Sequence, residues 1–115
     1  MAYMLLIVEP HGQRGTRPGR EGHDLYQRML EYGKSLKARG LLLASDSLRE
    51  SAVRLSIRAG RHNVVDGPFT ESKELVGGFF LLDCATREQA LSLAAECPAA
   101  EWAVVEVREV GPCYE

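Results

Sequence analysis

The chain has 115 residues, 45% of them hydrophobic and 26% charged, with a formal net charge of −2. That size fits one domain over residues 1–115, and the slightly acidic balance argues against a direct nucleic-acid partner, which needs a basic surface to neutralise phosphates. No stretch approaches the roughly 18 apolar residues of a membrane span, so no membrane partner is expected, and Cys84, Cys97 and Cys113, odd in number and without a C-x-x-C pair, argue against a disulfide framework or a zinc site and for a reducing, cytoplasmic compartment.

Tyr3 to Glu9 is a compact apolar run closed by Pro10 and Gly12, and it reads as a strand rather than a signal peptide. His11 to Gly22 has no period. Arg14, Arg17 and Arg20 stand among four glycines, which reads as a mobile surface loop or as a basic lid over an anionic ligand. From Asp24 to Arg39 the period becomes helical, with Leu25, Met29, Tyr32 and Leu36 on one stripe and Gly40 as the C-terminal stop. Leu41 to Ser45 reads as a second strand.

Ala52 to Ile57 alternates apolar and polar residues, Ala59-Gly60-Arg61 turns the chain, and Val64-Val65 return it, which predicts a hairpin. Asp66-Gly67-Pro68 ends regular pairing, because proline has no backbone donor and restricts the residue before it. Gly78 to Cys84 reads as a strand. Thr86 with Gln89 three residues on makes a capping box for a helix that Pro98 ends, and Glu101 to Val110 reads as the last strand.

Strand, helix, strand, hairpin, strand, helix, strand is an α+β order of two split strand–helix–strand units. Right-handed crossovers place both helices on one face of the sheet. The runs MLLIV in the first strand and FFLL in the strand after the hairpin are apolar at odd and even positions alike and need cover on both faces. Two helices cover one face, and a second copy of the chain is the simplest cover for the other. A homodimer is therefore expected.

Candidate chemistry concentrates in three places. In the last strand a period of two puts Val104, Glu106 and Arg108 on the face opposite Ala103, Val105 and Val107, so a carboxylate and a guanidinium share the face expected to be covered. They read as an internal ion pair or as ligand contacts. Asp66 can accept backbone N–H bonds as an Asx turn, and Glu71, Lys73 and Glu74 follow it as candidate acid, base and anion-binding groups or as solvated charges. Of the three histidines, His11 is favoured because it follows a strand end, and none stands at metal-ligand spacing. No metal is expected, and no P-loop, G-x-S-x-G or dinucleotide fingerprint implies a cofactor.

The stretch DGPFTESKE (Asp66 to Glu74) resembles the signature of the DGPF group in the YCII-related superfamily, whose usual form is DGPF-A-E-T-K-E. Here Thr70 and Ser72 replace alanine and threonine, while Asp66, Gly67, Pro68, Phe69, Glu71, Lys73 and Glu74 match. YMLLI at the start, GGFFLLD after the signature, CPAA after the second helix and VEVRE at the end agree in order, with Glu109 standing where the family commonly has proline. The resemblance implies a ferredoxin-like dimeric α/β barrel with an inserted hairpin, its signature and last strand approaching a cleft in each subunit. Some distant members are small-molecule enzymes with a suggested His–Asp pair, which no histidine here matches by motif. For most of the family no reaction is established.

Two functions follow as expectations. One is a small-molecule-binding cleft in which Arg108 or Lys73 holds an anion, Glu71 and His11 line the site, and Asp66 or Glu106 moves a proton. The other, implied by the resemblance, is a non-catalytic regulatory partner of extracytoplasmic-function sigma factors.

Overall fold

The computed structural model describes every residue except Pro68, Thr70 and Glu115, so the predicted strand break at Pro68 and the departure from the signature at Thr70 lie outside the described residues. Its elements are β1 (Ala2–Pro10), α1 (Gly19–Ala38), β2 (Leu42–Ser47), β3 (Val53–Arg58), β4 (Arg61–Asp66), β5 (Glu74–Asp83), α2 (Arg87–Ala95) and β6 (Val104–Val110), with short 3-10 turns at Gln13–Thr16 and Pro98–Glu101. The strands form an antiparallel four-stranded sheet in the order β2-β5-β1-β6, and β3 and β4 form a separate two-stranded sheet.

Both helices lie on one face, and the pleat shows it directly. Along β1 the odd residues Tyr3, Leu5, Ile7 and Glu9 are buried, while Ala2, Met4, Leu6 and Val8 are only half-buried. Leu5 pairs with Phe80 on one side and Val107 on the other, so these share the helix-covered face with Leu82. Leu36, Ala90 and Leu93 from the helices complete the core. Leu5, Leu36 and Leu82 are fully buried, each contributing about 1.5–3 kcal/mol. Tyr32 of α1 ties the layers together: its ring packs edge-on to Phe80 at 5.1 Å, and its hydroxyl donates to the Leu93 carbonyl of α2 at 2.6 Å.

Among the described residues no helix lies on the opposite face. Met4, Leu6, Val8, Phe79 and Leu81 are half-buried there, and Val104 and Val110 are exposed.

Local chemistry explains the element ends. At the end of α1, Gly40 has φ of +73° and donates to Lys37, while Leu41 donates to Leu36, the paired bonds of a Schellman stop. At the start of α2 the Thr86 hydroxyl accepts from Gln89 N at 3.1 Å, and the Gln89 side chain accepts from Ala85 N at 2.9 Å. The predicted capping box is thus present, with Gln89 reaching one residue further back than the reciprocal bond to the cap itself.

Three sequence expectations are corrected. The glycine- and arginine-rich stretch is not an aperiodic loop: Gln13–Thr16 is a 3-10 turn and α1 begins at Gly19. Pro18 supplies the helix's N-cap position, and the early glycines are tolerated because the first turn needs no buried side chain. β2 runs on to Ser47, and β5 begins at Glu74 rather than Gly78, since both lie against β1 or each other beyond the apolar runs. The hairpin is as expected, but it stands off the body. Val53, Leu55, Ile57 and Val64 are all more than half exposed, and the radius of gyration is 16.1 Å, against about 13 Å for a compact chain of this length.

Candidate functional site

An open cavity of about 640 Å³ lies between α1 and the covered face of the sheet. Its helix wall follows from periodicity: Gly22, Leu25, Met29, Gly33 and Lys37 recur at three- and four-residue steps and so share one stripe. Ile7, Leu42 and Phe80 form the sheet wall, and Trp102, just past the second 3-10 turn, closes one side.

At the floor sits Glu9, 6% exposed. It continues the buried odd phase of β1, which carries a carboxylate into the core-facing row. Arg14 holds it. The Arg14 Nε donates to both carboxylate oxygens at 3.1 Å, and Nη2 donates to Oε1 at 2.5 Å. The same guanidinium donates to the Leu48 carbonyl at 2.9 Å and the Gly77 carbonyl at 3.3 Å, so one arginine joins the end of β1, β5 and the segment after β2. A buried carboxylate without such a partner would cost several kcal/mol. Gly77 makes the arrangement fit, since a Cβ there would lie 1.8 Å from Glu9 Oε1.

A carboxylate has about four lone-pair sites, and Arg14 uses those on its own side. The rest can accept a hydrogen bond from a ligand in the cavity. Ser45 and Ser47 of β2 supply hydroxyls to the wall, and Arg17, Lys34 and Lys37 place cations around it. Arg17 also lies over the Trp102 ring at 5.9 Å, and Arg28 lies over it at 5.5 Å while pairing with Glu101. That pairing holds the Glu101 carboxyl below the usual carboxylate range.

Of the residues singled out from sequence, Arg14 and Arg17 of the arginine-rich stretch line this cavity and the other candidates lie elsewhere. Glu106 and Arg108 are exposed on the open face, cross-strand from Leu6 and Met4, and no ion pair joins them among the described residues. Asp66, at the end of β4, is exposed, as are Glu71 and Lys73. None of these five lines the cavity under α1. His11 and Glu74 line a second cavity of about 530 Å³ on the open side of the sheet, near Val8 and Val76.

The DGPF-like stretch works chiefly as a clamp. Gly67 N donates to Ala52 O at 2.8 Å, Ser72 N to Phe69 O at 2.9 Å, and His11 N to Lys73 O at 2.8 Å. Arg54 of β3 stacks over Phe69 at 3.8 Å and donates to Ser72 Oγ at 3.2 Å. Phe69, Ser72 and Glu74 line the second cavity, so the stretch is a turn that also forms a wall, through residues other than Glu71 and Lys73.

Glu9, and its pairing with Arg14 of the arginine-rich stretch, were missed from the sequence. The available signal was phase: Glu9 is in step with Tyr3, Leu5 and Ile7 at a period of two, and a charge in a core row implies a partner.

Comparison with known proteins gives three findings. The family profile described as the YCII-related domain matches residues 1–113. An uncharacterized protein of Rhizobium meliloti, R00369, is 46% identical over 46 residues, which cover 40% of this chain and 37% of that protein. Among solved structures, 5-chloro-2-hydroxyhydroquinone dehydrochlorinase from Burkholderia phenoliruptrix AC1100, in complex with 2,5-dihydroxybenzoquinone, matches with a TM-score of 0.56 and 16% identity over 96% of this chain and 94% of that one. At that identity the likeness is one of fold.

Proposed function

The chain belongs to the YCII-related domain family, and from that premise we propose that it binds a small molecule in the cavity under α1, with Glu9 as the acceptor that orients it. The observation that carries this is the buried Glu9 carboxylate, held by the half-buried Arg14, at the floor of an open cavity of about 640 Å³. An ion pair needed only for stability has no reason to face an open space of that size, and apolar walls around a few convergent polar groups are the usual make-up of a ligand site. The dehydrochlorinase of the same fold, in complex with a ring molecule, supports a ligand of that scale. Membership of the DGPF group rests on the resemblance of the signature, and the sigma-factor role is an implication of that resemblance alone.

A homodimer belongs to the same proposal. The open face carries Met4, Leu6, Val8, Phe79 and Leu81 in one apolar field, and a two-stranded hairpin with an exposed apolar face is only marginally stable by itself. A second copy packed sheet to sheet, closing the dimeric α/β barrel, covers the first and gives the second a surface to rest on. Glu106 and Arg108 then become enclosed.

Native mass spectrometry of the purified chain, after exposure to cell-extract metabolites, tests the ligand reading. Extra mass is expected on the wild type and its loss in Gly33→Leu, whose side chain extends from a position bordering Phe80 into the cavity. No bound mass, or the same mass on both proteins, would overturn it.

A further inference from the structure

We propose that the cavity under α1 selects an anion with an apolar, ring-sized body: a carboxylate, sulfonate or phenolate whose charge meets Arg17, Lys34 and Lys37. This rests on the cavity reading above and adds the sign of the ligand's charge. The charged residues around the cavity are Glu9, Arg14, Arg17, Lys34, Lys37 and Asp46. Glu9 and Arg14 neutralise each other. Asp46 pairs in register with Phe79, whose neighbour Phe80 is on the covered face, so the Asp46 side chain projects from the opposite side of the sheet. Its backbone carbonyl borders Gly78 instead.

Three cations are left without an opposing charge. Among the described residues no carboxylate lies within 4.0 Å of Arg17, Lys34 or Lys37. Lys34 and Lys37 are three apart on one helix, where like charges repel. The helix dipole favours Lys37 in the last turn, but it does not account for Arg17, which precedes the helix. The cavity walls also carry Met29, Leu30 and Phe80, apolar surface that would meet the body of such a ligand. An anion held there is partly withdrawn from water, where each cation counts for more than it would on an open surface.

Trp102, the one tryptophan of the chain, borders the cavity and reports on it. The probes are 8-anilino-1-naphthalenesulfonate and N-phenyl-1-naphthylamine, the same ring system with and without the anionic group. Titration against Trp102 emission is expected to give about tenfold tighter binding of the sulfonate, a preference that shrinks at high salt because the charges are near the rim. The double variant Lys34→Gln, Lys37→Gln should remove most of the preference and leave the affinity for the neutral amine unchanged. Equal affinity of the two probes in the wild type overturns the charge selection while leaving the cavity reading intact. So does a preference undiminished in the double variant, which would put the probe on the open sheet face. If neither probe changes Trp102 emission, the cavity reading itself fails.

Discussion

Gly77 and Glu9 determine one another. A methyl group at position 77 would meet Glu9 Oε1 at 1.8 Å and Arg14 Nη2 at 2.7 Å, so alanine there must displace the ion pair. Both atoms end flexible side chains, but the carboxylate is buried and has nowhere to go without losing its guanidinium. Gly77→Ala is therefore expected to cost about 1–3 kcal/mol, the usual range for a disturbed buried polar contact, seen as a lower urea midpoint with unchanged slope. An unaltered midpoint would mean that the pair shifts freely. The phase of Glu9 was legible in the sequence. Its partner was not, because Arg14 stands in a stretch rich in glycine, and the glycine that admits the pair is far along the chain. Asp66, Glu71 and Lys73 drew attention through residue type, and their exposure depends on contacts that no local pattern carries.

The elements were more legible than the site, because caps, turns and periods act over a few residues. The Gly40 stop, the Thr86–Gln89 cap and the hairpin all follow from neighbours in sequence. The start of α1 did not, since a glycine-rich first turn has the composition of a loop, and the 3-10 turn before it is held by distant partners: Gln13 donates to the Trp102 carbonyl and Arg14 to the Gly77 carbonyl. The hairpin gives a test of its own. Ala59 has φ of +50° and Gly60 +76°, a pair of left-handed residues closing a two-residue turn that matches the strand twist. A Cβ in that region costs roughly 1 kcal/mol, so Ala59→Gly should stabilise the turn, offset in part by the added freedom of the unfolded chain. Since β3 and β4 form their own sheet, the gain is expected in slower amide hydrogen exchange of Leu55 to Val64 rather than in the global melt. Faster exchange in the variant would show that the turn is held by contacts other than its backbone geometry.

At the scale of the molecule, two properties follow from what is buried and what is not. Burial pushes the Tyr32 phenol and the Cys97 and Cys84 thiols up, so the folded state favours their neutral forms. Groups raised in this way contribute fully below their unfolded pKa values and lose that contribution as pH rises, here from about pH 8.5 for the thiols and about pH 10 for the phenol. The urea midpoint should thus fall above about pH 9, and Tyr32→Phe should be weaker at neutral pH, having lost its bond to the Leu93 carbonyl, yet show a shallower alkaline decline. The uncovered face bears on assembly. In a two-fold dimer each contact is made twice, so residues that meet across the axis do so reciprocally. Glu106 and Arg108, exposed and unpaired with one another here, are two residues apart on β6 and would lose water when the sheets close. Each then needs an opposite charge from the second copy, and the simplest reciprocal arrangement sets Glu106 of one copy against Arg108 of the other. Glu106→Arg should dissociate the dimer at micromolar concentration in sedimentation velocity, by leaving four like charges in the interface. Adding Arg108→Glu restores the opposite pairing and should restore the dimer. If the double variant stays monomeric while the wild type is dimeric, the copies meet by another surface; a monomeric wild type would leave the apolar field of Met4, Leu6 and Leu81 facing water and would overturn the barrel.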